Sequence, residues 1–498
     1  MKKDNLNVKA INGLKTMSIS SVISFVLQFI TTMVLARIFT PEQFGIVSAI
    51  TIITSYTDIF WKVGIGPAIV QKKELTNNDI NTGFITTITF GLLATALVNI
   101  FAPFLVKVIN IDQVQVLRII SLSFIINSFG VIPLSIIQRE MRFRIIMMKD
   151  ILSSLVYTIT AIILGICGFQ VWGLVVALLM KYIIATLIPL IYYPIKINKS
   201  LSFNLASFKS MMKFGMGYSL SQFLSVTTSQ GDYFVVTNVM NSYLLGIYTK
   251  AYQLMTVPAN LIGQVVDQVF FPVMSKIQDN DRRLSDIYIL STALFSLLYF
   301  PVSIIIYLFS SEIVSLILGA KWIEVSVPFK ILSLSLFFRV GYKICDPLFR
   351  AKGKVYNRAL IHLVNAIITV MLAFIGSSWG LSGVAVGVSV ALVINYAILS
   401  IKTYKIIKFN LNEYILCLLP FIILSSITIP LMKNVKNYLN IIILNNSLGT
   451  LVSLILTLGV LFILILIIYK NILPRRIREQ INKLFTNLLK KFLKNRRG

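Results

Sequence analysis

The stretch from Ser18 to Gly45, SISSVISFVLQFITTMVLARIFTPEQFG, is the first of a long series of apolar runs and constrains the chain more than any other feature. Roughly 20 residues at about 1.5 Å rise cover a hydrocarbon core, so a run of this length reads as a membrane-spanning helix. It is not uniformly apolar. Ser21, Ser24, Gln28 and Thr32 recur at steps of three and four, which stacks them on one helix face among Ile, Val, Leu and Phe. A polar stripe in lipid must look inward. The stripe returns as Ser221, Ser225, Thr228 and Asp232, again ahead of a short turn that leads to Leu245 and Gly246 as the first leads to Phe44 and Gly45. Two copies of one cavity-lining helix point to a two-lobed transporter.

Composition agrees with a membrane protein and excludes a soluble globule. The 498 residues are 57% apolar with a mean hydropathy of +0.85, against about 45–50% apolar in soluble domains. The 46 Lys and Arg outnumber 18 Asp and Glu, giving a net charge of +28. Most of these cations fall in loops between apolar runs, so they imply membrane topology and no nucleic-acid partner. Cys167, Cys345 and Cys417 are scattered through apolar surroundings and suggest neither a disulfide framework nor a metal site. The run after Lys2, Lys3, Lys9 and Lys15 is long, lacks a small-residue cleavage site and leads into further spans, so it reads as a first span and not as a signal peptide.

The apolar windows predict an all-α integral membrane protein of about 14 spans. Their connections are short, and basic loops alternate with nearly bare ones. The basic set holds Lys72 and Lys73, Arg139 to Lys149, Lys196 to Lys213, Lys276 to Arg283, Arg350 to Arg358, and Lys402 to Lys408. The positive-inside rule places this set and both termini in the cytoplasm. The tail alternates Ile477, Leu484 and Leu488 with Lys and Arg, as a basic amphipathic helix on an anionic leaflet does. Arg139 in QREMRFR finds a counterpart in Arg350 of FRAKGKVYNR, and Trp172–Gly173 one in Ser382–Gly383. The repeat therefore lays six spans on six in the same orientation, which places a substrate path between the lobes. The expected division is residues 1–200, a first six-helix bundle; 201–409, a second; 410–470, two further spans; and 471–498, the cytoplasmic tail.

Charges inside spans are the candidate functional residues: Asp58, Lys62, Lys181, Asp232, Lys250, Arg339 and Lys343. At about 2.5 to 3.5 kcal/mol each, leaving them all in lipid would cost about 20 kcal/mol, more than a fold's usual stability. They must pair, snorkel or line water. Asp58 and Lys62 stand one turn apart in the order that allows mutual neutralisation. Lys250 is near the outer end of its span, within snorkelling reach. Lys343 has Asp346 three residues on. Lys181 and Arg339 sit deepest and best suit a mildly cationic vestibule for a phosphate-bearing substrate, where arginine offers a bidentate fork. Ser21, Gln28, Ser221 and Ser225 supply hydroxyl and amide partners, and Asp58 and Asp232 are the acidic candidates for ion coupling.

Enzyme signatures fail by contrast. Gly376 to Gly380 fits G-x-S-x-G but joins two helices, and His362 is the only histidine. No Gly-rich phosphate loop is present, so neither ATP drive nor any cofactor is expected.

ARIFTPEQFG (Ala36 to Gly45), GIGPAIVQKK (Gly64 to Lys73), QREMRFR (Gln138 to Arg144), LLGIYTKAYQL (Leu244 to Leu254) and FFP (Phe270 to Pro272) together resemble the Wzx-type polysaccharide exporters of the multidrug/oligosaccharidyl-lipid/polysaccharide superfamily. The nearest branch is that of O-antigen, capsule, colanic and teichuronic acid export. The resemblance implies a bacterial inner-membrane flippase with a V-shaped pair of six-helix bundles like those of the MATE drug exporters. It implies alternating access coupled to an ion gradient, an undecaprenyl-pyrophosphate-linked oligosaccharide as substrate, and a polysaccharide polymerase and chain-length regulator as partners. It supplies no catalytic residue. Two other readings stand beside it. A cation-coupled drug exporter would need acidic pockets, whereas the span charges are mainly basic. A membrane polymerase or glycosyltransferase would need a large or carboxylate-rich outer loop, whereas the connection around Ser310 to Glu324 carries only Glu312 and Glu324.

Overall fold

A computed structural model describes residues 23–72, 74–194, 203–352, 355–442, 446–479 and 482. Ser21, the lysines before it and most of the basic tail lie outside these ranges. Every regular element among the described residues is helical. The chain opens with α1 (Ile23–Ile38), then α2 (Pro41–Lys62), the short α3 (Ile65–Gln71), α4 (Asn77–Val108), α5 (Val114–Arg139), α6 (Phe143–Ile166) and α7 (Gln170–Tyr192). After it come α8 (Leu205–Val239), α9 (Ser242–Lys276), α10 (Asp281–Leu308), α11 (Ser310–Ile317), a 3-10 turn (Ala320–Val325), α12 (Ser326–Ser333) and α13 (Leu336–Ala351). The chain continues through α14 (Val355–Ser377), α15 (Gly380–Ile407), α16 (Leu411–Ile442) and α17 (Asn446–Ile467).

Ten of these helices are long and apolar enough to cross a membrane: α2, α4 to α7, α10 and α14 to α17. The protein is a multi-pass membrane protein. The four remaining positions in the expected set of about 14 fall on α1, α8, α9 and the α12–α13 stretch. Of those, α8, α9 and α13 carry Asp232, Lys250, Arg339 and Lys343; α13 is only 16 residues long, and the Ser, Thr, Gln and Gly residues of α8 lower its hydropathy along with its charge.

Local sequence explains where the helices begin and break. Thr40 accepts from the Gln43 backbone N–H while the Gln43 side chain accepts from the Thr40 N–H, and Pro41 fills the first helical position, so TPEQ starts α2 immediately after α1. Asn241, at the matching place in the repeat, accepts from the Leu244 N–H at 2.9 Å and starts α9. Val63 and Gly64, both in the left-handed region at φ 40° and 60°, separate α2 from α3.

On α4, packing is inside out relative to a helix of a soluble protein. α4 buries Thr82, Thr86, Thr87 and Thr95 and exposes Leu92, Leu93, Leu97, Ile100 and Phe104. Lipid rewards no apolar burial between helices, so small residues and interhelical hydrogen bonds take that role. Thr87 and Thr95 donate to the α5 carbonyls of Ser128 and Ser121 at 3.2 and 3.1 Å. Asn99 donates to the Ser121 hydroxyl at 2.8 Å. Gly91 lets the helices close up, since a Cβ there would stand 2.9 Å from the Phe124 carbonyl oxygen.

The chain forms two compact units: residues through Lys250 with Ser315–Ile323 and Ala366–Val384, and a second of Ala251–Val314, Glu324–Asn365 and Ala385 onward. In the first, α2 is the central strut. Its start meets α9 where a Cβ on Gly45 would fall 1.6 Å from the Ser242 carbonyl oxygen and one on Gly246 1.8 Å from that of Pro41. Its end meets α8, where a Cβ on Gly215 would fall 2.0 Å from the Val63 carbonyl oxygen. Under α3, Ile65, Ile69, Phe84, Ile132, Ile136 and Met211 form a buried cluster. In the second unit α10 packs on α13, α16 and α17. The Tyr414 hydroxyl of α16 shares hydrogen bonds with the Ser400 and Tyr396 hydroxyls of α15 at 2.9 and 3.0 Å, and Tyr288 of α10 meets the same Ser400 at 3.2 Å.

Candidate substrate path

The polar stripe of α8 changes character along its length. Ser221 and Ser225 are exposed, Thr228 is half-buried and donates to the Leu224 carbonyl at 2.8 Å, and Asp232 is fully buried. The face toward α2 is a different one. Ser219 donates to the Ile59 carbonyl at 3.3 Å, Phe223 stands edge-on to Tyr56, and Thr227 accepts from the Tyr56 hydroxyl at 3.3 Å. Residues 219, 223 and 227 share one face by their spacing of four, so Ser221 and Ser225 project from the far flank. Gln28 of α1 is likewise exposed, whereas Thr31 is buried and shares a hydrogen bond with Thr158 of α6 at 2.6 Å.

Each charged candidate in the first unit has an identified neighbour. Lys62 donates to Asp58 at 2.6 Å, the Trp61 indole donates to the other carboxylate oxygen at 2.7 Å, and the Lys62 ammonium stands 5.3 Å from the Trp61 ring. Side chains 41% and 31% exposed leave both members of this pair open to a ligand. Lys250 does not snorkel. It is 6% exposed, its ammonium 3.6 Å from the centre of the Phe44 ring, and desolvation strengthens such a cation–π contact. Asp232 accepts from the buried Tyr248 hydroxyl at 2.8 Å. Lys181 is half-buried with its ammonium 5.8 Å from the Tyr157 ring on α6.

In the second unit, half-buried Arg339 donates to the Tyr252 hydroxyl at 2.5 Å with its guanidinium over that ring at 4.5 Å. Lys343, also half-buried, follows one turn on along α13. The side chain of Asp346 lies outside the described ones, as does Ser21.

A small apolar cleft lies among α10, α16 and α17, lined by Phe300, Pro301, Phe421, Leu424 and Leu461 together with Ser425 and Thr428.

The structure adds aromatic and hydroxyl partners that sequence reading did not single out: Tyr56, Trp61, Tyr248, Tyr252 and Tyr157. Inside an apolar run a tyrosine looks like packing, and only the neighbouring helix shows where its hydroxyl goes.

Against known proteins, a family model described as "Polysaccharide biosynthesis protein" matches residues 34–328. Lipopolysaccharide biosynthesis protein WzxC of Escherichia coli K12 is 25% identical over 428 residues, covering 84% of this chain and 86% of that protein. Teichuronic acid biosynthesis protein TuaB of Bacillus subtilis 168 is 22% identical over 434 residues, 85% of this chain and 89% of that one. Among solved structures, the lipid II flippase MurJ in an inward closed conformation superposes with a TM-score of 0.73 at 17% identity, over 91% of this chain and 98% of its own. The last likeness concerns the fold alone.

Proposed function

Because the chain belongs to the polysaccharide biosynthesis protein family, we propose that it is a flippase that carries lipid-linked saccharides across the membrane. The substrate is an oligosaccharide joined through pyrophosphate to undecaprenol, moved from the cytoplasmic to the outer leaflet of the bacterial inner membrane by alternating access. The observation that carries this reading is the placement of polar and cationic side chains on the least apolar helices, α8, α9 and α13, amid ten apolar ones. A large hydrophilic head needs such a surface, while the polyprenyl tail can stay in lipid.

Roles follow from the chemistry. Arg339, Lys343, Lys181 and Lys62 form the cationic contacts for pyrophosphate, joined by Lys250 once its contact with Phe44 opens, and Ser21, Gln28, Ser221 and Ser225 form those for sugar hydroxyls. Tyr252 and Tyr157 orient Arg339 and Lys181. Spaced cations attract a diphosphate and still release it, which a tight cage would not. Asp58 and Asp232 are the groups for ion coupling. The apolar cleft of α10, α16 and α17 suits the tail. Both termini are cytoplasmic, the two six-span repeats divide near residue 200, and a polymerase and chain-length regulator take up the product.

Arg339→Ala and Lys181→Ala are expected to abolish surface polysaccharide at unchanged protein level; normal polymer in both removes the cationic path. Removal of residues 412–470 is expected to stop transport, and unchanged transport removes the tail cleft.

A further inference from the structure

The end of α1 is held by a segment far away in sequence. A helix leaves its last four carbonyls without intrahelical partners, and they carry negative partial charge. Here Trp322 donates its indole N–H to Ala36 O at 2.7 Å and Lys321 its ammonium to Arg37 O at 2.8 Å, while Arg37 donates back to Leu316 O at 3.1 Å. Trp322 is fully buried, its ring edge-on to Phe44 at 5.6 Å. The segment Ser315–Ile323 thus belongs to the first unit although its flanking residues belong to the second. The repeat supplies the same contact in reverse. Asn110, in the connection between α4 and α5, donates to Met240 O at the end of α8 at 3.4 Å. Each repeat's third connection therefore caps the other repeat's first helix. Between these two caps the repeat-related glycines 45 and 246 cross, with Ser48 donating to Thr249 at 3.4 Å just beyond them. The two caps are unequal. Trp322, Lys321 and Arg37 make three bonds on one side, and Asn110 makes a single long one on the other.

We propose that Ser315–Ile323 is a latch on the face opposite the basic loops, and that Trp322 and Lys321 must leave the end of α1 before a path opens on that face. The proposal rests on the transport reading. An opening movement would pull α1 and α2 from α9 at the glycine crossing, and the indole and ammonium bonds are the directional contacts that resist it. Because one carbonyl takes a neutral donor and the next a cation, the latch is held by both a buried hydrogen bond and the helix dipole.

The test uses the full chain with Cys167, Cys345 and Cys417 replaced by serine and Ser48→Cys as a reporter beneath the crossing. In right-side-out membrane vesicles, labelling by a membrane-impermeant maleimide is expected to be about thirty-fold faster when Lys321→Met and Trp322→Phe are combined, the loss of two such bonds shifting the closed population by that order. Equal rates overturn the latch. A second arm joins Arg37→Cys to Lys321→Cys with a short reducible bis-thiosulfonate linker. The bridged protein is expected to stop exporting surface polysaccharide and to resume on reduction; export with the bridge intact overturns the latch. Faster labelling in a protein whose deletion leaves surface polysaccharide unchanged keeps the latch and removes the transport reading.

Discussion

Arg139 reaches from the end of α5 to the carbonyls of Ile69, Val70 and Lys72, the last turn of α3 and the residue after it. Nearby, Asp79 is fully buried and accepts from Lys72 at 2.5 Å and from the Thr76 N–H at 3.0 Å. The motifs GIGPAIVQKK and QREMRFR thus meet as a helix-capping joint, in which Arg139 holds backbone carbonyls and Lys72 holds the Asp79 carboxylate. At α11, burial pushes the Glu312 carboxyl up, but the Lys436 ammonium at 2.6 Å, a backbone N–H and the Ser311 hydroxyl outweigh it and hold the group below its ordinary 4.5. A carboxyl held low stabilises the fold above its unfolded value, and that contribution is lost as pH falls through the folded one. Glu312→Gln is therefore expected to lower the melting temperature in detergent at pH 7, with the deficit shrinking below pH 4.5; a deficit independent of pH contradicts the pairing. The in-span charges themselves were legible in sequence, because an ionisable group in an apolar run stands out. Which ring or hydroxyl each one meets was not, since Phe44 and Lys250 are brought together only by the crossing of α2 with α9.

At the level of elements, glycine sets how closely the helices of the first unit approach. A methyl group on Gly246 would lie 1.8 Å from the Pro41 carbonyl oxygen, and backbone cannot yield as a flexible side chain can. On α8, Gly217 has no atom within 4 Å of such a methyl. Gly246→Ala is expected to lose transport and thermal stability. Gly217→Ala is expected to keep both and to gain up to about 1 kcal/mol from helix propensity. Stability measurements in detergent check the pair, and equal effects contradict the role given to the crossing. The offset that relates Thr40, Gly45 and Ser48 to Asn241, Gly246 and Thr249 could be read along the chain, as could α2, α4 to α7 and α14 to α17 from apolar length alone. The stretch after α10 could not. It reads as a short bare connection, yet it folds into α11 and a 3-10 turn that buries Trp322 completely. Turns of that length carry no periodicity, and the acceptor of the indole lies 286 residues away.

For the whole molecule, a membrane protein of this family with threonine-lined seams, lipid-facing apolar flanks and a few spaced cations has the physical parts a saccharide-lipid carrier requires. Such a carrier must hold a hydrophilic head at bilayer depth, and the interior cations here are backed by aromatic rings that lessen the cost of burying them. The most direct test is transbilayer movement in proteoliposomes containing the purified chain and undecaprenyl-pyrophosphate bearing a fluorescent disaccharide, with a membrane-impermeant quencher added outside. The inner-leaflet probe is expected to become quenchable at a rate that rises with protein content and falls at least about ten-fold with Arg339→Ala, the worth of one charge-assisted contact. An inner-leaflet pool as protected with the protein as in protein-free vesicles would contradict that expectation.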